Sequence, residues 1–173
     1  ELTPYLAAPD ANTGIAVIIC PGGSYSWLDM KTEGVIPAKW LQSNGINAFV
    51  LKYRVASVGA YILGFRALGI GHKYPDMLND VEWALEEIYT NADKYDVDTA
   101  KIGVMGFSAG GHLAALVSTY LEEIGEPNDV LRQESFLPNG QILCYPLISS
   151  DESISHKGSY RSLLGDKYEN RED

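Results

Sequence analysis

KIGVMGFSAGGHLAALV, residues 101–117, decides how this chain is read. Residues 101–107 are an apolar run rich in β-formers. It ends at Gly106-Phe107-Ser108-Ala109-Gly110, and a helical pattern with Leu113, Leu116 and Val117 on one side follows at once. G-x-S-x-G between a strand and a helix is a sharp turn that lifts a serine hydroxyl above a sheet. The backbone there is strained, and the residues two before and two after the serine approach each other, which Gly106 and Gly110 permit by lacking side chains. Ala109 opens the helix. Its free N–H and the helix dipole favour a negative oxygen held next to Ser108. Ser108 is therefore the candidate nucleophile. The five-residue pattern alone is weak; its place between strand and helix gives it weight.

Outward from this joint the pattern repeats. IAVIIC (15–20) and INAFVLKY (46–53) read as buried strands, and GQILCYPLI (140–148) as a fourth. Residues 32–44 read as a helix stopped by Gly45. Residues 75–90 read as a helix opened by Pro75, with Met77, Leu78, Val81, Ala84, Leu85 and Ile88 in one stripe. The helix after Ser108 is expected over 109–124, with Tyr120, Leu121 and Ile124 continuing its stripe, and a short helical piece around Tyr160–Leu164. Residues 1–13 read as loop. Strands alternating with helices predict an α/β fold, a three-layer α/β/α sandwich on a mostly parallel sheet, as one domain over 1–173. Function in such folds sits at the carboxyl ends of the strands. PGGSYS (21–26) follows a strand end too, about 85 residues before Ser108, so the two glycine-rich loops share one edge of the sheet.

The bulk numbers exclude several classes. The chain has 173 residues, net charge −10, 46% hydrophobic and 21% charged residues, the composition of a soluble globular domain. No block of Lys/Arg marks a nucleic-acid or anionic-membrane partner, and no run of 18 apolar residues spans a bilayer. The spacing G-x-G-x-x-G is missing from 103–111 and no G-K-[ST] follows, which sets aside nucleotide-binding loops. No clustered Cys/His ligands suggest a metal, and no organic cofactor is implied. Cys20 and Cys144 lie in separate strands. The chain opens at Glu1 and carries no targeting segment, which leaves a cytoplasmic or secreted location open.

VIICPGGSYSWL, KWLQSNGINAFVLKYRV, DVEWAL, KIGVMGFSAGGHLAA and ILCYPLISSDESISHKGSYRSLLGD together resemble the α/β-hydrolase carboxylesterases, more narrowly the acetyl-xylan-esterase-like and feruloyl-esterase-like carbohydrate esterases. The resemblance covers roughly residues 14–167. It implies hydrolysis of carboxylic esters, often acyl groups on plant polysaccharides, without metal or cofactor. The substrate it implies is a small-molecule or carbohydrate ester. In the sheet order that the hydrolase fold implies, 101–107 lies between Cys20 and Cys144, and two strand spacings make about 9.6 Å. A disulfide needs Cα atoms within about 7 Å, so both thiols are expected free. Position by position, Ser108 matches the nucleophile and Ala109 the residue whose N–H joins the oxyanion hole. Gly22, Gly23 and Ser24 match an oxyanion loop in which the later two donate, which selects Gly23 and Ser24. A lipase or peptidase on the same scaffold, or a non-catalytic binding domain that kept the pocket, are the alternatives.

The resemblance also places a catalytic acid and histidine after two further strands, and this chain stops before them. It carries His72, His112 and His156. His112 follows the nucleophile by four residues and points back along its helix into packing. His72 lies in the long connection 57–74, read either as a pocket wall or as a packed surface loop around Tyr61, Ile62, Leu63, Phe65 and Leu68. Asp151–His156–Ser108 is the one internal triad order available. The acids Asp29, Asp76 and Asp80 read as caps and solvated faces. A strand at 140–148 with nothing beyond it is an open edge although its composition is that of a strand with neighbours on both sides, so the chain alone is expected to be poorly soluble, associated with copies through that edge, or completed by another segment.

Overall fold

The computed structural model describes residues 1–56, 71–123, 136–149, 151 and 153–165. Its strands are β1 (Leu2–Tyr5), β2 (Ala16–Cys20), β3 (Asn47–Leu51), β4 (Ile102–Phe107) and β5 (Gly140–Cys144), in one sheet of order β1-β3-β2-β4-β5. Only β1 runs antiparallel; β3, β2, β4 and β5 are parallel, so the loops leaving β2, β4 and β5 meet at one edge. The helices are α1 (Ile36–Ser43), α2 (Asp76–Thr90), the single turn α3 (Ala92–Tyr95), α4 (Ala109–Glu123) and α5 (Lys157–Leu164).

Alternation along the strands divides the core between two faces. Ala16, Ile18, Cys20, Phe49, Leu51, Ile102 and Val104 bury against α2, α4 and α5. Val17, Ile19, Ala48 and Val50 face the other way and bury against Ala38 and Leu41 of α1. Every residue of β2 and β3 is buried, as strands covered on both faces require. This is the three-layer α/β/α arrangement that the sequence predicts. All six residues of the α2 stripe are buried, from Met77 to Ile88. Truncating any one to Ala would cost about 2–5 kcal/mol where the side chain is large.

Four differences have physical causes. Residues 2–5 are not loop: they pair antiparallel with β3, Pro4 opposite Phe49. An edge strand tolerates a proline because its outer side needs no donor. The helix expected over 32–44 divides into a wider π-helical turn, Met30–Val35, and α1. Asp29 starts that turn by accepting the Thr32 N–H at 3.0 Å. The fourth strand ends at Cys144, four residues early, because Tyr145 takes φ 38° and Pro146 follows. The last helix begins at Lys157. The apolar cluster at Tyr61–Leu68 and the side chains of Tyr120, Leu121 and Ile124 lie outside the described residues.

Candidate active site

β4 delivers Ser108 to the carboxyl edge of the sheet with φ 50°, and α4 begins at the next residue. A Cβ on Gly106 would strike the Gly110 carbonyl oxygen, and one on Gly110 the Cys20 carbonyl oxygen. The turn closes only because both lack one. The Ser108 N–H donates to the Cys144 carbonyl at 3.0 Å, and its own carbonyl accepts from His112 at 3.0 Å and Leu147 at 3.2 Å. The elbow is thereby tied to α4 behind it and to the segment leaving β5 beside it. The Ser108 hydroxyl meets no hydrogen-bond partner among the described residues. The same holds for the Ala109 N–H, the first of α4.

The loop after β2 packs directly against the elbow. A Cβ placed on Gly22 would sit 3.1 Å from Ser108 Cβ and 2.7 Å from the Phe107 carbonyl oxygen. Gly23 takes φ 142°, Ser24 φ 56° and Tyr25 φ 57°, so the chain coils tightly here. The Gly23 carbonyl accepts from Ser26 at 3.0 Å and Trp27 at 3.1 Å. Among the described residues no acceptor takes the Gly23 or Ser24 N–H. The structure thus sets Ala109 beside Ser108 at the start of α4 and packs Gly22, which directly precedes Gly23 and Ser24, against the elbow, with Gly106 and Gly110 supporting the turn.

Several buried bonds hold this loop. Tyr53 donates its hydroxyl to the Pro21 carbonyl at 2.6 Å. Tyr25 is fully buried, with its hydroxyl 2.6 Å from Nδ1 of His112 on α4. His112 stacks edge-on to Tyr25 and to Tyr160 of α5. Burial holds its imidazole down at about 4 and raises the Tyr25 and Tyr53 phenols. Ser26 and Ser162 of α5 bring their hydroxyls within 2.8 Å of each other.

The sequence singled out none of Tyr25, Glu33 and Tyr145, yet all three frame the site. Glu33 accepts the Gly22 N–H at 2.7 Å through Oε2 and the Tyr145 hydroxyl at 2.6 Å through Oε1. That hydrogen bond, with some burial, pushes the Tyr145 phenol up to about 12. The Tyr-Pro pair inside the expected fourth strand was the available signal for Tyr145. For Glu33 there was none, since the π-helical turn that aims it is invisible in an amphipathic pattern.

The three histidines stand elsewhere. His112 lies in the packing its helical position predicts. His72 Nδ1 is 2.7 Å from Asp76, beside the Arg54 pairs with Asp76 and Asp80. His156 stands directly before α5 without a side-chain bond to the helix N–H groups, its Nδ1 2.8 Å from the Ser159 hydroxyl. Asp151 accepts from the N–H and hydroxyl of Ser153, at 2.8 and 2.7 Å. The structure does not join Asp151, His156 and Ser108 into a triad: acid and imidazole each have local partners. Cys20 and Cys144 are both free, opposite Gly106 and Phe107 with β4 between. No cluster of metal-ligating side chains occurs among the described residues. No helix there is long and apolar enough to cross a membrane.

Comparison with known proteins follows this geometry. The chain is 36% identical over 157 residues to an acetylxylan esterase of Xylanibacter ruminicola, covering 91% of this chain and 28% of that protein. It is similar to an acetyl ester-xyloside bifunctional hydrolase from Caldicellulosiruptor lactoaceticus, at TM-score 0.73 and 35% identity, covering 95% of this chain and 55% of that one. An α/β-hydrolase enzyme from a Medee basin deep-sea metagenome library superposes at TM-score 0.64 with 28% identity, covering 96% and 59%. The chain therefore spans little more than a quarter of the curated relative and just over half of the two solved ones. The fold is that of the α/β hydrolases. A family model matches residues 5–136, through β2, β3, β4 and the whole elbow, and by that match the chain belongs to the BD-FAE family.

Proposed function

We infer that the chain carries the nucleophile and oxyanion loop of a serine carboxylesterase acting on acyl groups of carbohydrates. One observation supports this above the rest: Ser108, at positive φ on a strand-to-helix turn, has the Gly22–Ser24 loop packed against it with backbone donors unspent. The acyl-carbohydrate substrate rests on the similarity to an acetylxylan esterase and an acetyl ester-xyloside hydrolase.

In this reading Ser108 Oγ attacks the ester carbonyl carbon. The carbonyl oxygen gains negative charge and takes hydrogen bonds from the N–H groups of Ala109, Gly23 and Ser24. The tetrahedral intermediate expels the sugar alkoxide, which leaves with a proton, and an acyl-Ser108 ester remains. Water attacks this ester, restores Ser108 and releases the carboxylic acid. A base must take the Ser108 proton and return it to the leaving oxygen. Among the described residues no hydrogen bond joins the Ser108 hydroxyl to His72, His112 or His156, whose Nδ1 atoms face Asp76, Tyr25 and Ser159. In this reading the base is the later histidine that the resemblance to the carbohydrate esterases implies.

Labelling with a fluorophosphonate tests the reading. The full-length enzyme should become covalently modified at Ser108, and Ser108→Ala should abolish both the label and the release of acetate from acetylated xylo-oligosaccharides. An unlabelled protein would reject the nucleophile and favour a binding domain on the same scaffold.

A further inference from the structure

We propose that Glu33 is a positioning residue of the Ser108 site: its carboxylate clamps the β2 loop to the elbow by accepting from Gly22 N–H and Tyr145 O–H at once. The inference rests on the serine-esterase reading and adds to it a side chain that touches neither the nucleophile nor the donors.

The geometry carries it. Gly23 and Ser24 can serve an oxyanion only if their N–H groups hold still, since the strength of such a site lies in donors fixed before the reaction. The loop between β2 and α1 is short of regular structure, and Gly22 is its contact with the elbow. Gly22 is held from both sides: its carbonyl accepts the Asp29 N–H at 2.9 Å and its N–H donates to Glu33 at 2.7 Å. The second Glu33 oxygen takes the Tyr145 hydroxyl at 2.6 Å. Tyr145 directly follows Cys144, whose carbonyl holds the Ser108 N–H. The bridge therefore runs from the β2 loop to the β5 exit; Ser108 is hydrogen-bonded at the β5 end and packed against Gly22 at the other. The backbone is shaped for it. A Cβ at Gly22 would fall 2.6 Å from Glu33 Oε2, so glycine is what lets the carboxylate approach. The π-helical turn gives Glu33 a direction that a regular helix from residue 30 would not. Both donors are neutral and the acceptor is a carboxylate, the pairing that makes charge-assisted bonds.

The test uses the full-length enzyme with p-nitrophenyl acetate. Glu33→Ala is expected to lower kcat by about 10- to 100-fold, approaching the loss of an oxyanion donor, with KM little changed. Glu33→Gln should recover most of that loss, because its amide oxygen still accepts from Gly22 and its amide N–H can donate to the Tyr145 oxygen. Tyr145→Phe should show a smaller loss of the same kind. A side chain that merely stabilised the fold would lower the melting temperature and leave kcat per folded molecule alone; that result, or wild-type kcat in Glu33→Ala, overturns the proposal. The Gly22 amide proton gives a second readout by NMR. It should be downfield and slow to exchange in the parent and lose both properties in Glu33→Ala; an unmoved signal also overturns the clamp. Should Glu33→Ala fail to fold, unchanged kcat in Tyr145→Phe would overturn it equally. Ser108→Ala runs alongside. If that variant keeps its turnover, the serine reading falls, and the Gly22 signal alone decides the clamp.

Discussion

Ser108 holds a left-handed backbone conformation that costs a side-chain-bearing residue on the order of 1–3 kcal/mol. Its surroundings over-determine it, through three backbone hydrogen bonds and two glycines that admit the crossing. His112 shows how the same neighbourhood responds to acid. Its imidazole titrates at about 4 in the fold, against an ordinary 6.5, because burial opposes the charged form. The unfolded chain thus binds this proton more readily than the folded one. The stability associated with neutral His112 is complete above pH 6.5 and is lost as pH falls from there towards 4, by roughly 3 kcal/mol in all. Urea unfolding at about pH 7 and about pH 4.5 should show a larger drop in the parent than in His112→Gln, with the difference on that order. Equal drops would mean that His112 is hydrated and free to titrate in the fold.

β2 and β5 carry one cysteine each, and their chemical settings differ. Cys20 is fully buried and its thiol is pushed up to about 12 by that burial; Cys144 is half-buried at the end of an edge strand. Thiolate is the reactive form, so Cys20 should be inert in the native chain. Ellman's reagent without reductant should find Cys144 alone under native conditions and both thiols in denaturant. No thiol in denaturant would refute the strand order β2-β4-β5. That order was legible in the sequence only through the fold it implied, in which the strand carrying the nucleophile lies between the other two. The α2 stripe was legible by itself: six apolar residues at helical spacing have one way to be buried. β1 was not, since Pro4 argues against a strand everywhere but at an edge, and edges are decided by tertiary placement. Ser108, Gly106, Gly110 and the β2 loop could be found because steric demands write themselves as residue types. The Glu33 bridge could not, because a carboxylate on a helical segment looks like any solvated charge until the turn that aims it is seen.

Taken whole, the described structure has four parallel strands, and the loops leaving β2, β4 and β5 meet at one serine to which no described imidazole is bonded. The isolated 173-residue chain should hydrolyse p-nitrophenyl acetate no faster than its own Ser108→Ala variant. Loss of a triad histidine costs on the order of a millionfold in turnover, which leaves too little to measure. Robust turnover that vanishes in His156→Ala would instead establish Asp151 and His156 as the internal acid and base. The bond between Ser26 and Ser162 adds a dimension of time. It joins positions 136 residues apart, so the loop beside Ser108 receives its brace from α5 long after it is made. Synthesis adds about 5–20 residues per second, so the wait is on the order of ten seconds. In the later part of it, once Ser108 has been added, the growing chain already holds the serine and the loop that faces it, while one of the loop's supports is still being translated.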